Sequence, residues 1–247
     1  MKIFTIFLLS TLGFISLLSG TAGLGYTQMQ LRLVDMPTAG SLTEGGFSTK
    51  TYFFGNGDIN TEFLYSPLSK MDIGSGWGGN NFLGPSVIDV QRIPGLILTY
   101  RAIDETLAIP GIKLGFDTQG KGSWVEGIED NSMPNTGVFI ALSKQFSYGL
   151  GDAALHAGTG YSLHPLPEHR VPHFWLGADA TIGDFISLVS EFRVLTEQKI
   201  FPFRNTVNLG LNFSITSQAT VGLQIRYIGN SETSVSESRG IMIDYRF

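Results

Sequence analysis

From about residue 46 onward, apolar residues alternate with small or polar ones at a period of two, and no other feature constrains the fold as much. At the C-terminus Ile241, Ile243, Tyr245 and Phe247 alternate with Met242, Asp244 and Arg246. Upstream, Val221, Leu223, Ile225 and Tyr227 alternate with Gly222, Gln224 and Arg226. Val207, Leu209, Leu211, Phe213 and Ile215 alternate with Asn208, Gly210, Asn212 and Ser214. Shorter sets run through Leu96, Leu98 and Tyr100, through Ile112, Leu114 and Phe116, through Val138, Ile140 and Leu142, and through Leu176, Ala178, Ala180 and Ile182. Successive side chains of a strand point to opposite faces, so each set is one face. A soluble sandwich alternates too, but its outer face must be solvated. Here charged residues are 15% of the chain, against about 25% in a typical soluble domain. The faces opposite the apolar sets hold Gly, Ser, Asn, Thr and a few charges. A membrane barrel with apolar residues outward and polar ones inward resolves this. Closure also gives every backbone group a partner in lipid. The expected fold is all-β, a transmembrane antiparallel up-and-down β-barrel.

Connection lengths give an independent check. The pattern yields about twelve strands, at 46–55, 58–66, 70–79, 94–103, 108–118, 136–146, 153–162, 174–182, 185–195, 204–215, 218–228 and 239–247. Ten remain if the first hairpin is misread. Long connections (80–93, 119–135, 163–173, 196–203, 229–238) alternate with short ones (104–107, 147–152, Gly183-Asp184, Thr216-Ser217). Outer-membrane barrels have short periplasmic turns and longer external loops. The exception is Asn56-Gly57, a tight-turn signal where a long loop is expected. Tyr52, Phe53, Phe54, Tyr65, Tyr100, Trp124, Phe174, Trp175, Tyr227 and Phe247 lie near strand ends and are expected to form interfacial girdles.

Met1-Lys2, the uncharged run Ile3–Leu18 and the small residues Ser19–Gly23 read as a secretory signal peptide, cleaved near Ala22 or Gly23. The expected division is signal peptide 1–23, a periplasmic segment or plug 24–40, and barrel 41–247. Cysteine is absent, which excludes a disulfide scaffold, a zinc-thiolate site and a thiol nucleophile. A net charge of −5 argues against nucleic acid as a partner.

Several short motifs, in order, resemble a known family. They are Leu33-Val34-Asp35-Met36-Pro37-Thr38-Ala39-Gly40, Gly76-Trp77-Gly78-Gly79-Asn80-Asn81, Tyr100-Arg101-Ala102-Ile103-Asp104-Glu105 and Gly115-Phe116-Asp117-Thr118-Gln119-Gly120. They resemble bacterial outer-membrane barrels related to YjbH, over about residues 33–247. The resemblance implies a Gram-negative outer-membrane barrel, placed by the barrel-insertion machinery. Its YjbH branch consists of longer proteins linked to exopolysaccharide production. It supplies no catalytic residues. Phe247, with Ile243 and Tyr245 before it, resembles the assembly signal of such barrels.

Candidate sites follow from the alternation. One face collects Arg101, Lys113, Asp117, Asp179, Glu191, Arg193, Arg226, Asp244 and Arg246, five basic and four acidic. The balance reads as a neutralising lumen network, since buried charges need partners. The competing reading is a selectivity lining. His164, His169 and His173 surround Pro165–Glu168, and three imidazoles could take zinc or copper. Their spacing matches no compact motif, so they are weak metal candidates. His156 lies on a strand, opposite in face to Leu155. A barrel hydrolase would pair it with a Ser and an orienting group on adjacent strands, but nothing marks a particular Ser. Gly74–Gly79 fits an alternating-glycine pattern without the strand and helix that a dinucleotide needs, and reads as a flexible strand end. Glu126, Glu129 and Asp130 make 119–135 an acidic, solvated loop. No cofactor is implied, and no enzyme. The expected function is a structural or accessory envelope barrel, with a narrow diffusion channel as the alternative and a hydrolase third. The expected partners are outer-membrane lipid and lipopolysaccharide, the insertion machinery, and polysaccharide.

Overall fold

The computed structural model describes residues 29–125, 130–164, 170–183, 185–196, 205–228 and 239–247. The signal-peptide reading, His169, Glu126 and Glu129 fall outside them. The strands are β1 (Phe47–Phe54), β2 (Ile59–Leu68), β3 (Met71–Asn80), β4 (Asp89–Val90), β5 (Gly95–Ile103), β6 (Gly111–Asp117), β7 (Lys121–Val125), β8 (Asp130–Met133), β9 (Gly137–Tyr148), β10 (Gly151–Tyr161), β11 (Pro172–Ile182), β12 (Ile186–Leu195), β13 (Asn205–Ser214), β14 (Ala219–Ile228) and β15 (Arg239–Arg246). Among the described residues, twelve of these are long and form one antiparallel cylinder in the order β1-β2-β3-β5-β6-β9-β10-β11-β12-β13-β14-β15. β15 returns to β1, with Thr49 opposite Tyr245 and Phe53 opposite Ile241. Each end of each long strand lies within three residues of its sequence-derived position. Such accuracy is possible because a two-residue period flips every side chain for each one-residue slip.

Outward positions are apolar and exposed: Leu96, Leu98, Val138, Ile140, Leu223 and Ile241 are examples. Their inward neighbours Ile97, Phe139, Gln224 and Met242 are buried. The short turns, together with the C-terminus, gather at one end, which in outer-membrane barrels faces the periplasm. The seam closes there with reciprocal backbone bonds between Phe47 and Phe247, 2.6 and 2.9 Å, and stacking of their rings at 5.2 Å. At the opposite end Asn56-Gly57 does form the short turn its sequence signals, with Gly57 at φ +89°.

Three expectations fail. The glycine-rich run is no strand end. It is the body of β3, paired with β2 and β5. Its inward glycines leave room, since a Cβ on Gly76 would collide with the Gln119 side chain. Second, Tyr52, Phe54, Trp175 and Tyr227 do not join a girdle; all four are buried inside the barrel, whereas Tyr65, Tyr100, Phe174 and Phe247 are exposed. Tyr227 is turned inward by a register shift between β13 and β14, where its φ is +59°. The other three face a lumen into which other parts of the chain pack. Third, the 119–135 connection is not simply solvated. It forms the β7–β8 hairpin, and Gln119, Lys121, Asn131, Met133 and Asn135 are buried.

Candidate functional site

The lumen is occupied from both ends. From the short-turn end, residues 31–42 run inside the wall and are buried throughout. Backbone bonds from Leu33 N–H to Met36 O (2.9 Å) and from Thr38 N–H to Leu31 O (3.2 Å) fold them into a tight turn. Its tip is Val34-Asp35. Leu33, Val34 and Met36 pack against Phe139, Ala141, Trp175 and Val189 of the wall. Burying each such side chain contributes about 1.5–3 kcal/mol. Two inward aromatics also hold the turn's carbonyls: Trp175 Nε1 donates to Pro37 O at 3.2 Å, and Tyr52 Oη donates to Val34 O at 3.4 Å.

Ionic contacts fix the same turn around the wall. Arg32 pairs with Glu62 of β2 at 2.8 Å and Asp117 of β6 at 2.5 Å. The Asp35 carboxylate accepts from Arg226 Nε of β14 at 3.0 Å and from Asn208 Nδ2 of β13 at 3.1 Å. Glu191 Oε2 of β12 accepts the backbone N–H groups of Asp35 and Met36, each at 2.8 Å. Asp72 Oδ1 accepts Leu42 N–H at 3.1 Å, and Lys113 reaches both Gly40 O and Asp72.

At the long-loop end, residues 119–125 and 130–136 lie over the lumen. Asn80 pairs with the Trp124 backbone as a strand would, donating to its carbonyl at 2.6 Å and accepting its N–H at 2.8 Å. Lys121 pairs with Glu62 and sits over the Tyr52 ring. Glu62 therefore holds the inner turn through Arg32 and the outer hairpin through Lys121. Arg193 Nη2 donates to Pro134 O at 3.1 Å.

All nine residues of the sequence-derived charge face lie on inward positions. Lys113, Asp117, Asp179, Glu191, Arg193, Arg226 and Asp244 are buried. Arg101 and Arg246 are partly exposed near the short-turn end, where Arg101 Nε donates to Ser41 Oγ at 3.2 Å and Arg246 pairs with Asp244 at 2.7 Å. The alternation alone did not single out Arg32, Asp35, Lys50, Glu62, Asp72 or Lys121. The last four lie on inward or loop positions that nearby aromatics and glycines obscured. The first two belong to no strand.

His156 has found partners that the sequence did not mark. Ser143 sits directly opposite it on β9, and Asp179 lies diagonally across on β11. Ser143 Oγ is 2.7 Å from His156 Nδ1, and His156 Nε2 is 2.9 Å from Asp179 Oδ2. Ala39 N–H donates to Ser143 Oγ at 2.8 Å. An ionised carboxylate only accepts, so Asp179 takes the proton of Nε2–H, and Nδ1 of a neutral ring then accepts the Ser143 hydroxyl. The residue types match a nucleophile, a base and an orienting acid. The serine, however, is buried under Ala39, and it meets Nδ1 rather than Nε2.

His164 and His173 are both buried, and His173 stacks on Trp175 at 5.7 Å. Among the described residues, no three His, Asp or Glu side chains gather to hold a metal ion. A polar cavity of about 410 Å³ opens at the short-turn end. Gln30, Lys50, Asp152, Asp179, Asn212 and Asp244 are among its walls.

No protein-family model and no curated protein sequence matches the chain. Solved structures do. A NanC porin is 5% identical over 81% of this chain and 97% of that one, with a TM-score of 0.43. Omp33 of Acinetobacter baumannii is 7% identical over 82% and 96%, at 0.44. The outer-membrane protein OmpT of Vibrio cholerae is 9% identical over 82% and 98%, at 0.33. The closed twelve-strand wall, its apolar exterior and its polar, ion-paired interior make this chain a transmembrane β-barrel of the outer-membrane type.

Proposed function

We propose that the protein is an outer-membrane barrel of a Gram-negative envelope whose lumen is kept shut by its own residues 31–42, and that it serves a structural or accessory role rather than catalysis. Export by a signal peptide cleaved near Ala22 or Gly23 and insertion by the barrel-assembly machinery complete this reading. Surface polysaccharide is the partner class that the YjbH-like motifs bring to it. The observation that carries it is the burial of residues 31–42 against five separate wall strands through Glu62, Asp117, Ser143, Glu191 and Arg226. A solute path would have to break these contacts together. The test is single-channel conductance of the refolded chain in a planar bilayer, after a heat-shift gel shows a folded barrel. Silence is expected, and discrete steps at rest would overturn the reading.

A second reading, a narrow diffusion channel, is favoured by the 410 Å³ polar cavity at one mouth. It requires residues 31–42 to leave the lumen. Steps that appear only when they are displaced would support it.

A further inference from the structure

Arg193 breaks a rule that the rest of the lumen obeys. Buried charges are paired or coordinated, because an unpaired one is costly to keep out of water. Arg32, Lys113, Lys121 and Arg226 each have a carboxylate within ion-pair distance. Arg193 is 1% exposed and has none among the described residues. Its Nη2 uses the Pro134 carbonyl, while Nε and Nη1 have no acceptor. The carboxylate two residues away on its own strand is already committed. Glu191 Oε2 takes two backbone N–H groups, and Oε1 takes Asn208 Nδ2 at 2.8 Å.

The surplus donors continue along the wall. Thr206 is directly opposite Arg193 on β13. It is 1% exposed, and its hydroxyl is unpartnered. On the next strand, Arg226 is held by Asp35 through Nε only. Its Cζ lies over the Tyr52 and Phe54 rings of β1 at 5.2 and 4.9 Å and its Nη1 lies beside Gly240 of β15, so its Nη groups, which have no acceptor, belong to that side of the wall. A guanidinium is planar by resonance, and a free edge grips a carboxylate or phosphate through two parallel N–H groups. The directly opposed inward positions Arg193 and Thr206 thus present three unused donor atoms. The one carbonyl that Arg193 reaches among the described residues, Pro134 O, belongs to the connection at the long-loop end.

We propose that Arg193 and Thr206 form a binding site for an anionic oxygen group, the carboxylate or phosphate of a small solute, which displaces the Pro134 carbonyl as it enters from the long-loop end. The site does not depend on whether the barrel conducts. Bidentate contact would come from the Nε and Nη2 edge of Arg193 once Pro134 O has left Nη2, with the Thr206 hydroxyl donating to a remaining oxygen.

The probes are sodium phosphate and sodium acetate, each against sodium chloride at equal ionic strength. They are titrated into the full chain in detergent with Trp77 and Trp124 replaced by Phe. Trp175, stacked on His173 beside Arg193, then reports by fluorescence, and the heat-shift midpoint reports in parallel. The expected result is a saturable response to phosphate, to acetate or to both, absent with chloride. It weakens at least tenfold in Arg193→Gln and several-fold in the near-isosteric Thr206→Val. Whichever probe responds assigns phosphate or carboxylate chemistry. No saturable response in the parent, or an undiminished one in variants shown by gel to be folded, overturns the site. If Arg193→Gln does not fold, the Thr206→Val comparison decides.

Discussion

Replacing Asp35 with alanine tests whether the inner turn is held chiefly by its ion pairs. The carboxylate accepts Arg226 Nε and Asn208 Nδ2, and both donors are buried. Removing one partner of a buried pair costs about 3–5 kcal/mol, mostly from the charge left behind. Arg226 keeps its contacts with Tyr52 and Phe54, so the lower end, about 3 kcal/mol, applies. Each 1.4 kcal/mol is tenfold in an equilibrium constant, so opening of the turn becomes roughly 100-fold more frequent. The wall itself is untouched, because its ladders do not use Asp35. The assay is hydrogen exchange in detergent, read at the amides of Leu33, Thr38 and Ala39, which are bonded inside the lumen. These amides should exchange about 100-fold faster, while the β9–β10 ladder stays protected. Unchanged exchange at all three in a folded barrel refutes the reasoning, and so does equal acceleration in β9 and β10.

Gly177→Ala should loosen the same turn from the wall side, because the new Cβ would collide with Leu33 Cδ1; overpacking costs about 1–3 kcal/mol, and exchange at Leu33 reads it. Leu98→Arg places a charge on the lipid face, costs about 2–4 kcal/mol if near the bilayer midplane, and should lower the urea midpoint of the folded band. Phe247→Ala removes the ring that stacks on Phe47 at the seam, a contact of about 0.5–1.5 kcal/mol, and should reduce the folded fraction on refolding. Ser143 should resist a fluorophosphonate probe while Ala39 covers it; labelling that His156→Ala abolishes would contradict the non-enzymatic reading.

The wall was legible in the sequence because one physical rule writes it at every second residue. β15 shows this best, with Ile241, Ile243 and Tyr245 outward in unbroken step. What fills the wall was not legible. Arg32 and Asp35 meet partners 85 and 191 residues away, and no local period records such a pairing. Trp175 shows the same limit: its neighbour Leu176 announces the lipid face, but nothing in the chain announces that the opposite face meets Pro37 and Met36 instead of water. Tyr227 failed for a local reason, a single register shift that moved it from one face to the other. The Ser143–His156–Asp179 chain could have been found from strand register, since all three occupy inward positions of neighbouring strands.

The position of residues 31–42 also orders events during assembly. They precede β1, so they are made first, yet they contact β2, β6, β9, β12 and β14 around the whole circumference. Contacts so far apart along the chain must wait for the later strands and are slow to form. A cylinder that sealed β15 to β1 early would shut this segment out and would then have to reopen its seam or thread it lengthwise through a mouth. Either the strands wind around the segment as around a spindle before the last pair zips, or the finished cylinder must admit it through the short-turn mouth.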